Sequence, residues 1–171
     1  MELHYNLKET VYFEKRENIM VSILNNQTSN QEFLDFVVDE IHNADVASTH
    51  EGEPSAQVCD LMMNKNGKLY ITTSQNNPFF KDLINQPKVV INGYKGEGTM
   101  DSCGFSIRGN IKDVDHLYID EIFEKNPYLN EIYADDVEAA KKDLHVLEIE
   151  PTSASYLDHR TNPIFTRKFE F

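Results

Sequence analysis

Three turn signals constrain this chain more than any other feature. Glu51-Gly52-Glu53-Pro54, Asn64-Lys65-Asn66-Gly67 and the Gly-rich KGEGTMDSCG of residues 95–104 chop its middle into short apolar runs. Asn-Gly supplies the positive φ that a tight hairpin needs, and runs this short suit strands better than helices. The runs Asp45–His50, Ser55–Met63, Leu69–Thr73, Lys88–Tyr94 and Cys103–Val114 read as five strands. His145–Glu150, with Pro151 beyond it, and the alternating Ile164–Phe171 read as two more. Helical signals lie around them. Ser29-Asn30-Gln31-Glu32 is a capping box followed by Phe33, Leu34, Val37, Val38 and Ile41 at helical spacing, with an end near Asn43. Asn77 can cap a short helix with Pro78 at its first position, and Gln86-Pro87 ends it. Asp115 is expected to cap a helix through Lys125, interrupted at Asn126-Pro127, with helical turns at Leu129–Tyr133 and Asp136–Asp143. The pattern is mainly β with flanking helices: a small β-barrel in a single domain.

Charge narrows the partners. The chain has 171 residues and a formal net charge of −13, so the clustered Lys and Arg that nucleic-acid phosphates require are missing. Residues 61–112 nevertheless hold seven Lys/Arg against three acids. A locally basic segment in an acidic chain suits a small anionic ligand. Cys59 and Cys103 form no disulfide framework and no metal-ligand spacing, and the opening MELHYNLKETVYFEKRE lacks the apolar core of a signal peptide. The expectation is a cytoplasmic protein with free thiols. The six His show no metal spacing, and no metal site is expected.

The segment GKLYITTSQNNPFFKDL, from Gly67 to Leu83, concentrates the chemistry. A strand ends in Thr72, Thr73 and Ser74, and Asn77 opens a helix. A helix N-terminus presents unpaired N–H groups and a partly positive dipole end, which suits phosphate. The hydroxyls and Asn77 add donors, and Lys81 lies one turn in as a point cation. The same residues also serve ordinary capping, so local chemistry leaves both readings open.

The order Thr73-Ser74, Phe80-Lys81-Asp82-Leu83, Asn85-Gln86-Pro87 resembles the pyridoxamine 5′-phosphate oxidase-like family of FMN-binding split β-barrels. The Gly52-Glu53-Pro54 hairpin, the Phe105–Gly109 strand and the Asn126-Pro127 break follow in the same order. The resemblance covers about residues 32–150, leaving residues 1–28 as an N-terminal extension and 151–171 as a C-terminal strand or arm. It implies a homodimer with FMN at the subunit interface. Thr72, Thr73, Ser74, Asn77 and Lys81 would then hold the phosphate, and Gln57, Val58 and Cys59 would line the ring edge. Ser106 and Arg108 share a strand face near a position where relatives carry Arg. The sequence departs from the family in having Gln57 in place of a common Arg and Asn77 near a common Lys. It also lacks an Arg-rich C-terminus: only Arg160 and Arg167 lie there, as candidates to reach the partner's phosphate. The resemblance therefore implies an FMN-dependent oxidoreductase that is not a true pyridoxamine-phosphate oxidase. A non-catalytic flavin-binding or redox-sensing protein and a haem-binding split barrel are the alternatives.

Overall fold

The computed structural model describes residues 21–171. The weak alternation expected in residues 1–19 lies outside them. Eight strands form one antiparallel sheet in the order β2-β1-β5-β6-β7-β4-β3, with β8 also paired to β7. They are β1 (Asn43–His50), β2 (Glu53–Asp60), β3 (Met63–Lys65), β4 (Lys68–Ser74), β5 (Lys88–Lys95), β6 (Cys103–Asp113), β7 (Leu144–Asp158) and β8 (Phe165–Glu170). The sheet curls until β2 touches β4 without pairing to it, which leaves the barrel split along that line.

Local chemistry accounts for the hairpins. Glu51 and Gly52 take φ of 50° and 88°, and Asn66 and Gly67 take 55° and 75°. Two consecutive left-handed residues match the twist of a two-residue hairpin. The stretch read as one strand from Ser55 to Met63 breaks at Leu61-Met62. Both residues are buried, Leu61 in the barrel core and Met62 on the opposite side of the wall, and Met63 starts a new strand.

The strand expected to stop at Pro151 instead runs to Asp158. Its pairing to β6 shifts at Arg108/Gly109, where Thr152 is an extra residue and its hydroxyl donates to the Arg108 carbonyl at 3.1 Å. A bulge is where a strand tolerates proline's missing N–H. Gly109 is required there, since a Cβ would lie 2.7 Å from the Glu150 carbonyl oxygen. On its other edge, β7 pairs with β4 over residues 144–149 and with β8 over residues 153–158. The C-terminal segment therefore completes its own chain's sheet.

Five helices cover the barrel: α1 (Asn30–Phe36), α2 (Pro78–Asn85), α3 (Ile119–Lys125), α4 (Tyr128–Ile132) and α5 (Val137–Asp143). The capping box at Ser29 and Glu32 forms as expected, and α1 runs on through a π turn at Val37–Ile41. Phe33 from α1 stacks on Phe169 at 4.2 Å and meets Phe105 and Tyr156 edge-on, closing one end of the barrel. Phe79 and Leu83 of α2 join the same core. Each such fully buried side chain contributes about 2 kcal/mol. A second core forms outside the barrel wall, where Tyr70, Leu144 and Val146 meet Ile119, Ile122, Phe123 and Leu129.

Asp115 does not cap α3. It takes φ of 58° and its carbonyl accepts the Val146 N–H at 2.7 Å, so the chain turns there and α3 begins four residues later. Asn126 does break the helix as expected. It is buried, and its amide donates to the carbonyls of Met62 and Ile122, both at 2.9 Å.

Candidate functional site

Strand β4 presents alternate residues to two environments. Leu69, Ile71 and Thr73 face the barrel interior opposite Ile149, Leu147 and His145, while Thr72 and Ser74 face the layer of α3–α5. At the end of β4, a cleft of about 620 Å³ opens between the strand and α5. It is lined by Thr72, Thr73, Ser74, Asn77, Tyr133, Asp136, Ala139, Ala140, Asp143 and Leu144. The expected phosphate residues therefore come together, with the exception of Lys81. Lys81 is exposed on α2 and does not line the cleft.

The helix junction itself is self-satisfied. The Asn77 side chain accepts the Phe79 N–H at 3.0 Å, and its carbonyl accepts the Phe80 N–H at 3.0 Å. The Asn77 N–H goes to the Ser74 carbonyl and the Asn76 N–H to Ser74 Oγ. The chain thus consumes the backbone donors that the anion reading relied on, and capping explains Asn77. The Thr72, Thr73 and Ser74 hydroxyls donate to no partner among the described residues, and those of Thr72 and Ser74 face the cleft.

The cleft also holds two carboxylates that the sequence reading placed only as helix-end residues. Asp136 caps α5 by accepting the Ala139 N–H at 2.9 Å. Asp143 accepts from Asn76 Nδ2 at 3.1 Å. Among the described residues, no Lys or Arg lines the cleft. Three of the seven cations in the basic segment expected around it are neutralised within the chain. Lys65 pairs with Glu121, while Lys68 and Lys112 converge on the buried Glu148 at 2.7 and 2.9 Å.

Gln57 joins this site from the other side of the split. Its Oε1 accepts from Asn77 Nδ2 at 3.2 Å. A second clasp lies beside it: Asp82 of α2 accepts from Ser55 Oγ at 3.0 Å and is 2.6 Å from His50 Nδ1. The contact with Asp82 raises the His50 pKa, and the contact with His50 lowers that of Asp82. Cys59 is half-buried, and burial, then Asp60 and Asp45, push its thiol up to about 11. It is no thiolate nucleophile at neutral pH.

Val58, Ser106 and Arg108 point to the outer face of the sheet. Ser106 and Arg108 alternate with the inward Phe105 and Ile107, as expected. In register, Val58, Asp45, Asn92, Ser106, Ser155 and Lys168 form one row across six strands. A hollow of about 200 Å³ at Val58 shares Gly93 and Tyr94 with a groove of about 600 Å³ that includes Ser106, Leu157, His159 and Lys168. Arg108 lines neither. The expected site is therefore split into a polar cleft at β4 and an outer groove, with the edge strand β2 between them. His159 in the groove carries no spacing signal in the sequence; its Nδ1 is buried without a hydrogen-bond partner among the described residues.

Arg160 and Arg167, the candidate partner-reaching cations, are engaged within their own chain. Arg160 makes two hydrogen bonds to Asp158, at 2.8 and 2.7 Å, and donates to the carbonyls of Val21 and Ser22. Arg167 stacks on Phe169 and donates to the Asn25 carbonyl at 2.6 Å.

This arrangement of strands recurs in solved structures. A NimC/NimA family protein from Clostridium acetobutylicum superposes with a TM-score of 0.63 at 17% identity, over 83% of this chain and 92% of that one. A protein related to general stress protein 26, of the pyridoxinephosphate oxidase family and from the same organism, gives 0.59 at 14% over 79% and 89%. The fold is the pyridoxamine 5′-phosphate oxidase-like split barrel. A heme-binding protein from Mycobacterium smegmatis shares it too, with a TM-score of 0.60 at 13% identity over 86% of this chain and 60% of that one. No protein-family model matches the sequence, and no curated protein does. Among the described residues, no helix is long and apolar enough to cross a membrane.

Proposed function

We propose that this split barrel is an FMN-binding flavoprotein working as a homodimer, an oxidoreductase rather than a pyridoxamine-phosphate oxidase. One observation carries the reading: the hydrogen bond from Asn77 Nδ2 to Gln57 Oε1. It brings the residues read as the phosphate end of the site against the strand read as its ring edge. As an edge strand, β2 offers backbone donors and acceptors to the polar rim of a flavin. The hydroxyls of Thr72 and Ser74 suit a phosphate or ribityl chain in the cleft. Asp136 and Asp143 oppose the charge of a phosphate, so affinity rests on hydrogen bonds and on what a second copy supplies.

The outer sheet face is where that second copy fits. Val58, Tyr94 and Leu157 are 65%, 58% and 40% exposed there, and Gly104 leaves a flat floor between Tyr94 and Leu157. Lys168 on the same face has no ion-pair partner among the described residues and can provide the cation that the cleft lacks. Bound FMN supplies hydride and single-electron chemistry, so the protein needs only to bind and orient it. Free cysteines accord with a cytoplasmic setting.

The test is the visible spectrum of freshly purified protein, followed by FMN titration and light scattering. The expected result is a yellow dimer that quenches FMN fluorescence. A colourless protein that quenches neither FMN nor riboflavin overturns the reading. NADH oxidation by the FMN-loaded protein separates an oxidoreductase from a non-catalytic flavin-binding or redox-sensing protein. One observation favours haem as the second reading: His159 lines the outer groove, its buried Nδ1 has no partner among the described residues, and imidazole is a common haem ligand. A Soret band in place of the flavin spectrum would select it.

A further inference from the structure

Helix α5 forms one wall of the cleft, yet none of its side chains is fully buried. Val137 and Ala140 only half-pack on the outer core. The helix is held instead by polar contacts at its surface. Lys141 Nζ donates to Asp120 at 2.8 Å, Asp143 accepts from Asn76, and the Lys142 carbonyl accepts from His116 Nε2 at 3.0 Å. That carbonyl is one of the last four of the helix and has no intrahelical partner.

His116 is unusual in what faces its two nitrogens. Nε2 meets the Lys142 carbonyl, while Nδ1 lies 2.6 Å from Asp115 Oδ1. Both are pure acceptors, so the ring can donate to the carbonyl and pair with the carboxylate at once only if it carries two protons. The surroundings favour that cation. Asp115 and Asp113 supply negative charge from the preceding turn, and the C-terminal end of α5 adds its dipole. The His145 ring stands 5.4 Å away between ring centres, its own Nδ1 turned 2.8 Å from Asp113.

We propose that α5 is a pH-dependent lid on the ligand cleft, fastened at its C-terminal end by doubly protonated His116 bridging Asp115 and the Lys142 carbonyl. The cleft's identity as the ligand site rests on the function proposed above; the fastening does not. When His116 loses its Nδ1 proton, that lone pair faces the Asp115 carboxylate, and the ring turns away from it and takes Nε2 off the Lys142 carbonyl. The end of α5 then releases, carrying Asp143 away from Thr72 and Ser74. The His116 pKa is raised, chiefly by the Lys142 carbonyl, so docking is fully favoured below the ordinary His value. It is lost as pH rises through the docked value.

The experiment is amide hydrogen exchange of the ligand-free protein between pH 5.5 and 8.5, corrected for intrinsic rates and read on residues 137–143. One linked proton limits the loss of protection to about tenfold per pH unit, and a clear fall toward that limit above neutrality is expected. In His116→Gln the side-chain amide can still donate to Lys142 but cannot titrate, so the pH dependence should flatten with the fold intact. Wild-type protection that does not change with pH overturns the lid, as does an unchanged pH dependence in His116→Gln. A parallel FMN titration separates the two claims. If protection follows pH but FMN never binds, the lid stands and the ligand assignment falls. If FMN binds while protection ignores pH, the reverse holds.

Discussion

Asp158 and Asp143 sit at opposite ends of β7, and the chain treats them differently. Asp158 is completely buried, takes two bonds from the Arg160 guanidinium, one from the Arg160 N–H and one from the Tyr156 hydroxyl. Arg160 then reaches the carbonyls of Val21 and Ser22, so this network ties the first described residues to the end of β7. Asp143 lines the open cleft, is paired to no cation among the described residues and accepts one amide bond from Asn76. The first carboxylate is committed to the fold. The second faces the cleft without a cation of its own among the described residues. Read from sequence, the roles were reversed: Arg160 was a candidate for ligand charge, and Asp143 an ordinary helix end.

Breaking the structural network should give the largest effect. Arg160→Ala strands a buried carboxylate and is expected to cost about 3–5 kcal/mol, seen as a large fall in thermal midpoint. A small change would mean that water reaches Asp158. Asn77→Ala comes next. It removes the cap of α2 and the contact to Gln57, and should cost about 1 kcal/mol of stability while weakening FMN. Loss of stability with unchanged FMN affinity would reduce Asn77 to a cap. Asp143→Asn keeps the acceptor for Asn76 but removes a charge. Removal of one repulsion of about 1 kcal/mol should tighten FMN about fivefold and leave riboflavin unaffected. Equal effects on both flavins would place the phosphate elsewhere. Lys81→Ala is expected to do least. An exposed charge outside the cleft is screened, so FMN affinity should change less than about twofold with the melting temperature unchanged. A tenfold loss would return Lys81 to the phosphate.

These contrasts show where sequence reading reached and where it stopped. Turns at Glu51-Gly52 and Asn66-Gly67, the box at Ser29–Glu32 and the cap at Asn77 were legible because each depends on residues within four positions of one another. The inward face of β6 was legible from alternation alone. Pro151 misled because its usual effect is local, while the bulge that accommodates it depends on Gly109, forty-two residues away in the chain. Asp115 misled because a cap and a left-handed turn use the same side chain, and only the Val146 N–H chose between them.

The sequence by itself determined the hairpin turns, the starts of α1 and α2 and the Thr72–Ser74 hydroxyls at the end of a strand, since propensity and capping act within a turn or two. Tertiary structure decided which charges are available. Lys68 and Lys112 meet over Glu148, Arg160 closes on Asp158, and Asp136 and Asp143 turn into the cleft because β7 pairs with β4 and α5 packs beside both. A charge is fixed by composition, but its energy depends on its nearest partners and its burial, and neither exists until distant segments are in contact.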